Sequence, residues 1–141
     1  MTNSISMQLG KAMERTDDLA RSLDDESMGR RLQDRSNTLW DQLWCMVGAR
    51  ESYARAITAG EWVGFACSLT ADDRGSRPRV VEALQSSREA VQSAVSLPDP
   101  PEVLILDLLL HETQHHGQLI RYVYGLRLEF PESWRDRWNL R

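Results

Sequence analysis

The fold is decided by residues 101–125, which read PEVLILDLLLHETQHHGQLIRYVYG. The first part of this stretch, Val103–Leu110, is apolar on nearly all sides when wound as a helix, and a helix of that kind has to be buried. Pro101 suits the first turn of such a helix. We therefore expect one helix from Pro101 to Gly125, lying at the centre of an all-helical domain.

Three further helices are predicted, at residues 4–23, 38–58 and 80–97. Their apolar side chains recur three and four residues apart, the spacing that lines one face of a helix. Four helices with mostly short connections, together with scarce strand signals, are typical of a helical bundle. We therefore predict an all-α fold, a four-helix bundle, in one domain over residues 1–141.

The connections carry their own signals. Ser36 or Asn37 is suited to cap the start of the second helix, and Gly60 is suited to end it. Residues 24–35 are polar and predict a connector. Residues 59–78 contain three glycines and a proline, which predicts an irregular stretch. Part of it should nonetheless fold back on the body, because it also contains Trp62, Val63, Phe65 and Leu69.

Composition and charge argue against several classes of protein. A formal net charge of −4 over 141 residues argues against nucleic-acid binding, which usually needs a basic face. No stretch approaches the roughly 18 apolar residues of a membrane span, and the start of the chain does not resemble a secretory signal. We expect a cytoplasmic protein that binds neither nucleic acid nor membrane, with Cys45 and Cys67 as thiols.

All three histidines fall within the predicted last helix. His111 and His115 are four residues apart, so both imidazoles lie on one helix face and are able to bind one metal ion. Asp107, Gln118 and Tyr122 fall within about 40° of the same line on the helix. Such a polar stripe needs partners if it is buried: a metal, water or its own members. The alternative interpretation is an exposed face with solvated histidines.

Two imidazoles do not complete a zinc site, which takes at least three protein ligands. Cys45, midway along the second helix, is the leading third ligand, because a thiolate binds zinc well. A buried free cysteine that only packs is the competing interpretation. Asp41, one turn earlier, and Asp107 are the alternatives, and Cys67 lies in the irregular stretch.

The same letters also spell H-E-x-x-H, the zinc-protease pattern, in which Glu112 would be the general base. The extended protease pattern fails, because Gly117 comes one position early and no later histidine follows. A metalloprotease is therefore a minor alternative. His116 points about 100° away from His115, and a surface pair with Glu112 is its expected role.

The segment His111–Gln118, HETQHHGQ, resembles the DinB-like family of metal-binding four-helix bundles, whose last helix carries two histidines four apart followed by Gly-Gln. The stretch Leu119–Gly125 and the tail, Pro131–Leu140, are similar as well. In the second helix, Leu43–Glu51 is similar to the family segment that supplies a third histidine. Cys45 stands at that position, so the chain departs from the family pattern there.

The resemblance implies an up-down-down-up, left-handed bundle, a homodimer, and bound zinc or nickel. Characterised members of the family transfer low-molecular-weight thiols such as bacillithiol, or isomerise maleylpyruvate with mycothiol. We therefore predict a metal-dependent thiol transferase or related hydrolase acting on small molecules, with His111, His115 and Cys45 as metal ligands and Gln118, Asp107 and Tyr122 around them. The rival is a non-catalytic bundle, metal-stabilised or dimerising, since a fold does not carry a function by itself.

Overall fold

The protein is all-helical in the computed structural model, which describes residues 2–141, with side chains from residue 4 onward. The helices are α1 (Thr2–Ser22), α2 (Asp25–Met28), α3 (Leu39–Ala59), α4 (Arg77–Val95), α5 (Glu102–Gly125) and α6 (Glu132–Trp138). A single 3₁₀ turn occupies Ala71–Asp73, and the described part of the chain contains no strand. The predicted helical class is therefore confirmed, and the four predicted helices correspond to α1, α3, α4 and α5.

The ends of α3 are set by its caps. Thr38 accepts a hydrogen bond from the backbone N–H of Asp41, whose carboxylate accepts one from the backbone of Thr38, so the two form a capping box. The predicted caps Ser36 and Asn37 are thus one or two residues early. Gly60 ends the helix as predicted, in the left-handed conformation with φ of 84°.

Helix α4 begins three residues before its predicted start. Ser76 caps it, and Pro78 lies in its first turn, where the missing N–H of proline leaves no helical bond unmade. The proline therefore belongs to the helix and not to the irregular stretch before it.

The four long helices pack in a defined pattern: α1 and α3 each contact both α4 and α5. Two clusters of buried apolar side chains lie between them. The first joins the early part of α1 and of α5 to the later part of α3 and of α4, through residues that include Leu9, Met13, Ala54, Ile57, Val91, Ala94, Ile105 and Leu108. The second joins the other halves of the same helices, through residues that include Leu19, Leu43, Met46, Leu84, Leu119 and Val123.

Helix α5 is less central than its sequence predicts. Ile105 and Leu108 are buried, but Val103 is 64% exposed and Leu110 57% exposed, and Leu106 is also exposed. Helix α5 packs mainly on α1 and α3, so its remaining side faces outward. The expectation of a helix buried on all sides is wrong for this reason.

Two segments in which the sequence predicts no helix are helical and contribute to the core. Trp134, in α6, is entirely buried, and its Nε1 donates a hydrogen bond to the carbonyl of Arg15, 2.7 Å away. Met28, in α2, is also entirely buried, so residues 24–35 are more than a polar connector. No helix among residues 2–141 has the length and apolar character that spanning a membrane requires.

Part of the stretch between α3 and α4 folds back along α3, as predicted. Leu69 is buried and its carbonyl accepts a hydrogen bond from Trp44 Nε1. The ring of Phe65 lies against Gly48, where a Cβ would come within 2.3 Å of it. Trp62 and Val63 are exposed.

Candidate metal centre

The three predicted metal ligands come together between α3 and α5. Cys45 Sγ lies 3.6 Å from His111 Nε2, and the ring centroids of His111 and His115 are 4.6 Å apart. One ligand atom from each of the three residues lies within 4.8 Å of the others. All three side chains are partly buried. The cluster is therefore of a size that could hold one metal ion.

One distance in the cluster, between Cys45 Sγ and His111 Nε2, fits the dimensions of a zinc site. With Zn–S of about 2.3 Å and Zn–N of about 2.0–2.1 Å, tetrahedral geometry requires sulfur and nitrogen to be about 3.6 Å apart. That is the separation of Cys45 Sγ and His111 Nε2. A thiolate with two imidazoles is also a donor set that suits zinc. The same distance suits a thiol–imidazole hydrogen bond, so the pair can exist with or without an ion.

A buried ion pair fixes how α3 and α5 face each other. Arg50 comes five residues after Cys45 on α3, and Glu112 directly follows His111 on α5. The Arg50 guanidinium binds both carboxylate oxygens of Glu112, and both side chains are entirely buried. Because sliding or rotating either helix would break this pair, it holds the ligand-bearing faces toward each other.

Arg50 also ties in the other two long helices. Its Nη1 donates to Asp17 Oδ1, 2.9 Å away, and to the carbonyl of Leu84; its Nη2 donates to the carbonyl of Met13. All five N–H groups of the guanidinium therefore have partners, which is what a buried charge requires. Arg50 thus joins α1, α3, α4 and α5 beside the cluster. The sequence does not predict this role, because an arginine in a helix is usually exposed to solvent.

His116 is buried and not at the surface, so the expected surface pair with Glu112 is wrong. Its Nε2 lies 2.7 Å from Thr16 Oγ1, which in turn donates to Glu112 Oε1 at 2.7 Å. Its ring packs on Trp134, with centroids 4.7 Å apart. Burial lowers the pKa of His116 to about 4, although Glu112 opposes this. His116 is therefore neutral at pH 7 and donates from Nε2 to Thr16.

Burial also controls protonation in the cluster itself. It raises the pKa of the Cys45 thiol and lowers the pKa of His111. The pKa of His115 falls to about 4, first through burial and then through the neighbouring His111. At pH 7 the cluster is therefore a neutral thiol with two neutral imidazoles. The imidazoles are already in the form that binds a cation, and only the thiol has a proton to lose.

Neither alternative third ligand joins the cluster. Asp41 uses one carboxylate oxygen in the capping box and the other in an ion pair with Arg74, at 2.9 Å. Asp107 is exposed and lies close enough to Tyr53 for its charge to raise that phenol's pKa, after the larger effect of burial. Cys45 is thus the third member of the group.

The remaining predicted residues are spread along α5. Gln118 is exposed, and its side chain works against the lowering of the His115 pKa by burial. The hydroxyl of Tyr122 donates to the carbonyl of Asn37, just before α3 begins. Cys67 lies outside α5, in the stretch between α3 and α4. Its Sγ donates a hydrogen bond to the carbonyl of Trp44, and burial raises the pKa of its thiol to about 11. The polar stripe therefore divides into buried and exposed parts.

Gln42 is a further residue at the cluster that the sequence does not predict. It lies on α3, three residues before Cys45, and is only 7% exposed. Its Oε1 is 2.7 Å from Nδ1 of His115. No signal in the sequence marks it, because Asp41, one turn before Cys45 as well, is also polar.

Comparison of the chain with protein-family models and with curated proteins finds no match. The DinB-like resemblance therefore rests on the residues of the sequence, and the function has to be argued from the cluster of Cys45, His111 and His115.

Proposed function

We propose that this protein binds a divalent metal ion, zinc or nickel, through Cys45, His111 and His115, and that it belongs with the DinB-like proteins. The observation that carries the proposal is the convergence of these three ligand atoms within 4.8 Å, from two helices that are far apart in sequence. Helical spacing predicts two of these residues as ligands. Cys45 is predicted by its position midway along the second helix, by its thiolate chemistry and by the family resemblance, and a chance meeting of all three residues would be unusual.

We further propose that the chain is a four-helix bundle with the up-down-down-up order of that family. The two core clusters support this order. They pair the early halves of α1 and α5 with the later halves of α3 and α4, so α1 and α5 run one way and α3 and α4 the other. Helices α2 and α6 are additions outside this arrangement.

The chemistry we propose is transfer of a low-molecular-weight thiol to a small electrophile, or a related hydrolysis. A divalent ion in this cluster would lower the pKa of a thiol or a water and so supply a nucleophile at neutral pH. His111 and His115 contribute neutral nitrogens, and Cys45 contributes a charge that would make the ion less electrophilic than three imidazoles would. Three protein ligands leave one tetrahedral position for the reacting group.

The rival function is a metal-stabilised or dimerising bundle without catalysis. The cysteine ligand favours it, since thiolates are common in structural zinc sites. The outward side of α5, with Val103, Leu106 and Leu110 exposed, supports the proposed homodimer, because a second copy would cover apolar surface. A cytoplasmic location stays a prediction from the sequence.

A metalloprotease is poorly supported. Its general base would be Glu112, which is entirely buried. Both oxygens of that carboxylate accept hydrogen bonds from Arg50, which holds the pKa of Glu112 below its usual value against the effect of burial. An ionised carboxylate locked in this pair is not free to take a proton from water at the cluster.

The first test is the metal content of the purified protein after zinc loading and dialysis. We expect one zinc per chain in the wild type and much less in Cys45→Ala and His115→Ala. Cys67→Ala is the matched control, because Cys67 is an equally half-buried cysteine outside the cluster, and it should keep the wild-type content. Equal zinc in all four proteins would contradict the site.

The second test concerns catalysis. Zinc-loaded protein is incubated with bacillithiol, mycothiol or glutathione and a chlorodinitrobenzene electrophile, and the thioether is measured. Conjugation that disappears with His115→Ala supports the transferase. Bound zinc without conjugation by any thiol favours the structural rival.

A further inference from the structure

We propose that Gln42 is a positioning residue for the metal centre: its amide oxygen holds the proton of His115 on Nδ1, so that Nε2 keeps the lone pair and is the nitrogen left to bind an ion. This inference rests on the proposed metal-binding function and extends it to a residue that is not a ligand.

The contact between Gln42 and His115 decides which ring nitrogen can bind an ion. Oε1 of Gln42 is 2.7 Å from Nδ1 of His115. An amide oxygen only accepts hydrogen bonds, so Nδ1 has to be the donor and has to carry the proton. In a neutral imidazole the other nitrogen then has a free lone pair. His115 is therefore prepared to bind through Nε2.

The burial of Gln42 and its place on α3 hold its side chain at this contact. Gln42 is buried, and it lies three residues before Cys45 on α3, so the two side chains share a face of that helix. A single helix thus supplies one proposed ligand and the partner that orients another. Metal-binding histidines usually donate their second N–H to an acceptor in this way, and loss of that acceptor typically weakens metal binding about 10- to 100-fold.

His111 provides an internal comparison. Its Nε2 faces Cys45, whereas its Nδ1 is buried and has no hydrogen-bond partner among residues 2–141. No acceptor in the described part of the chain therefore fixes the proton of His111, while Gln42 fixes that of His115. A change at Gln42 should alter the tautomer of His115 and leave that of His111 as it was.

The orientation of the Gln42 amide is the alternative to be tested. Were its NH₂ group turned toward Nδ1, the amide would donate, Nδ1 would hold the lone pair, and the proton would sit on Nε2. His115 could then offer a lone pair only at Nδ1, the nitrogen that lies against Gln42. The two orientations predict opposite tautomers for His115.

The experiment measures the histidine tautomers in metal-free protein at pH 7, by long-range ¹H–¹⁵N NMR of ¹⁵N-labelled chains, and then zinc affinity by competition with a chelator. Gln42→Met removes the acceptor at similar length, and Gln42→Glu keeps an oxygen there. Gln114→Met is the matched control, because Gln114 is an exposed glutamine next to His115 in sequence.

We expect the Nδ1–H form of His115 in the wild type, Gln42→Glu and Gln114→Met, and loss of that form in Gln42→Met with zinc binding weakened about 10- to 100-fold. The inference is overturned by an Nε2–H form in the wild type, or by an unchanged tautomer in Gln42→Met. Should Gln42→Met not fold, the tautomer of His115 in the wild type and in Gln42→Glu still tests the inference. Absence of zinc binding in every protein would defeat the proposed function, whereas the tautomers of the metal-free chains would still test Gln42.

Discussion

Arg50 and Glu112 form an entirely buried ion pair between α3 and α5, in which the guanidinium holds both oxygens of the carboxylate. Cys45 lies on the same helix as Arg50, and His111 and His115 flank Glu112 on α5. The pair therefore sets the relative position of the helices that carry the proposed ligands. Burying charges requires complete pairing, and here Asp17 and Glu112 balance Arg50 and Arg88.

Glu112→Gln should destabilise the protein by about 3–5 kcal/mol, because it leaves Arg50 with one fewer buried counter-charge. Urea unfolding followed by circular dichroism measures the loss. Arg121→Met, an exposed arginine on the same helix, is the control and should change stability little. A Glu112→Gln protein as stable as the control would mean that the pair is not needed to hold α3 against α5.

The buried His116 should make stability depend on pH. Its pKa is lowered to about 4 in the folded protein, mainly by burial, against about 6.5 in an unfolded chain. Between these values the unfolded chain binds the proton more readily, so stability is fully present above about pH 6.5 and is lost as pH falls toward 4.

Unfolding of metal-free protein at pH 7 and pH 5 tests this, with His116→Gln beside the wild type. The difference in unfolding free energy between the two pH values should be smaller in His116→Gln by about 1–2 kcal/mol. His115, with its pKa also lowered to about 4, acts in the same direction and leaves part of the dependence in place. Equal pH dependence in the two proteins would argue against a buried neutral His116.

Two helical glycines should respond in opposite ways to alanine. A Cβ at Gly117 meets nothing within 4 Å, so Gly117→Ala should stabilise α5 by up to about 1 kcal/mol. A Cβ at Gly48 would come within 2.3 Å of Phe65 and 3.1 Å of Cys67 Cβ, so Phe65 has to move. We expect Gly48→Ala to be less stable than Gly117→Ala by about 1–3 kcal/mol in thermal unfolding. Similar melting temperatures for the two variants would mean that Phe65 does not pack on α3.

Trp134→Ala should cost about 3–5 kcal/mol, because Trp134 is entirely buried and bonds the carbonyl of Arg15. Trp62→Ala, at a half-exposed tryptophan, is the matched control and should lower the free energy of unfolding much less. The same measurement tests whether α6 is part of the core. If the two substitutions had equal effects, α6 would not be docked.

The sequence predicts the four long helices because apolar spacing and caps are local properties. It predicts His111 and His115 on one face for the same reason. It does not predict the burial of Arg50, Glu112 and His116, because a charged residue on a helix is usually solvated and only its partners on other helices reveal that it is not. It places Val103 and Leu110 in the core, because apolarity on all sides of a helix does not show which side remains uncovered.

The role of Gln42 could not be read from spacing either. Its partner, His115, is 73 residues away, and nothing local distinguishes this glutamine from a surface one. Cys45 is predicted by its position midway along the second helix, by the affinity of thiolates for zinc and by the resemblance, in which it stands where the family has a histidine. Its contact with His111 Nε2 is the geometric support for that assignment.

X-ray absorption spectroscopy of the zinc-loaded protein tests the central claim most directly. The account predicts one sulfur ligand at about 2.3 Å and two imidazole nitrogens at about 2.0–2.1 Å in the wild type, with the sulfur lost in Cys45→Ala and kept in Cys67→Ala. A zinc environment made only of oxygen and nitrogen in the wild type, or a sulfur ligand that persists in Cys45→Ala, would contradict it.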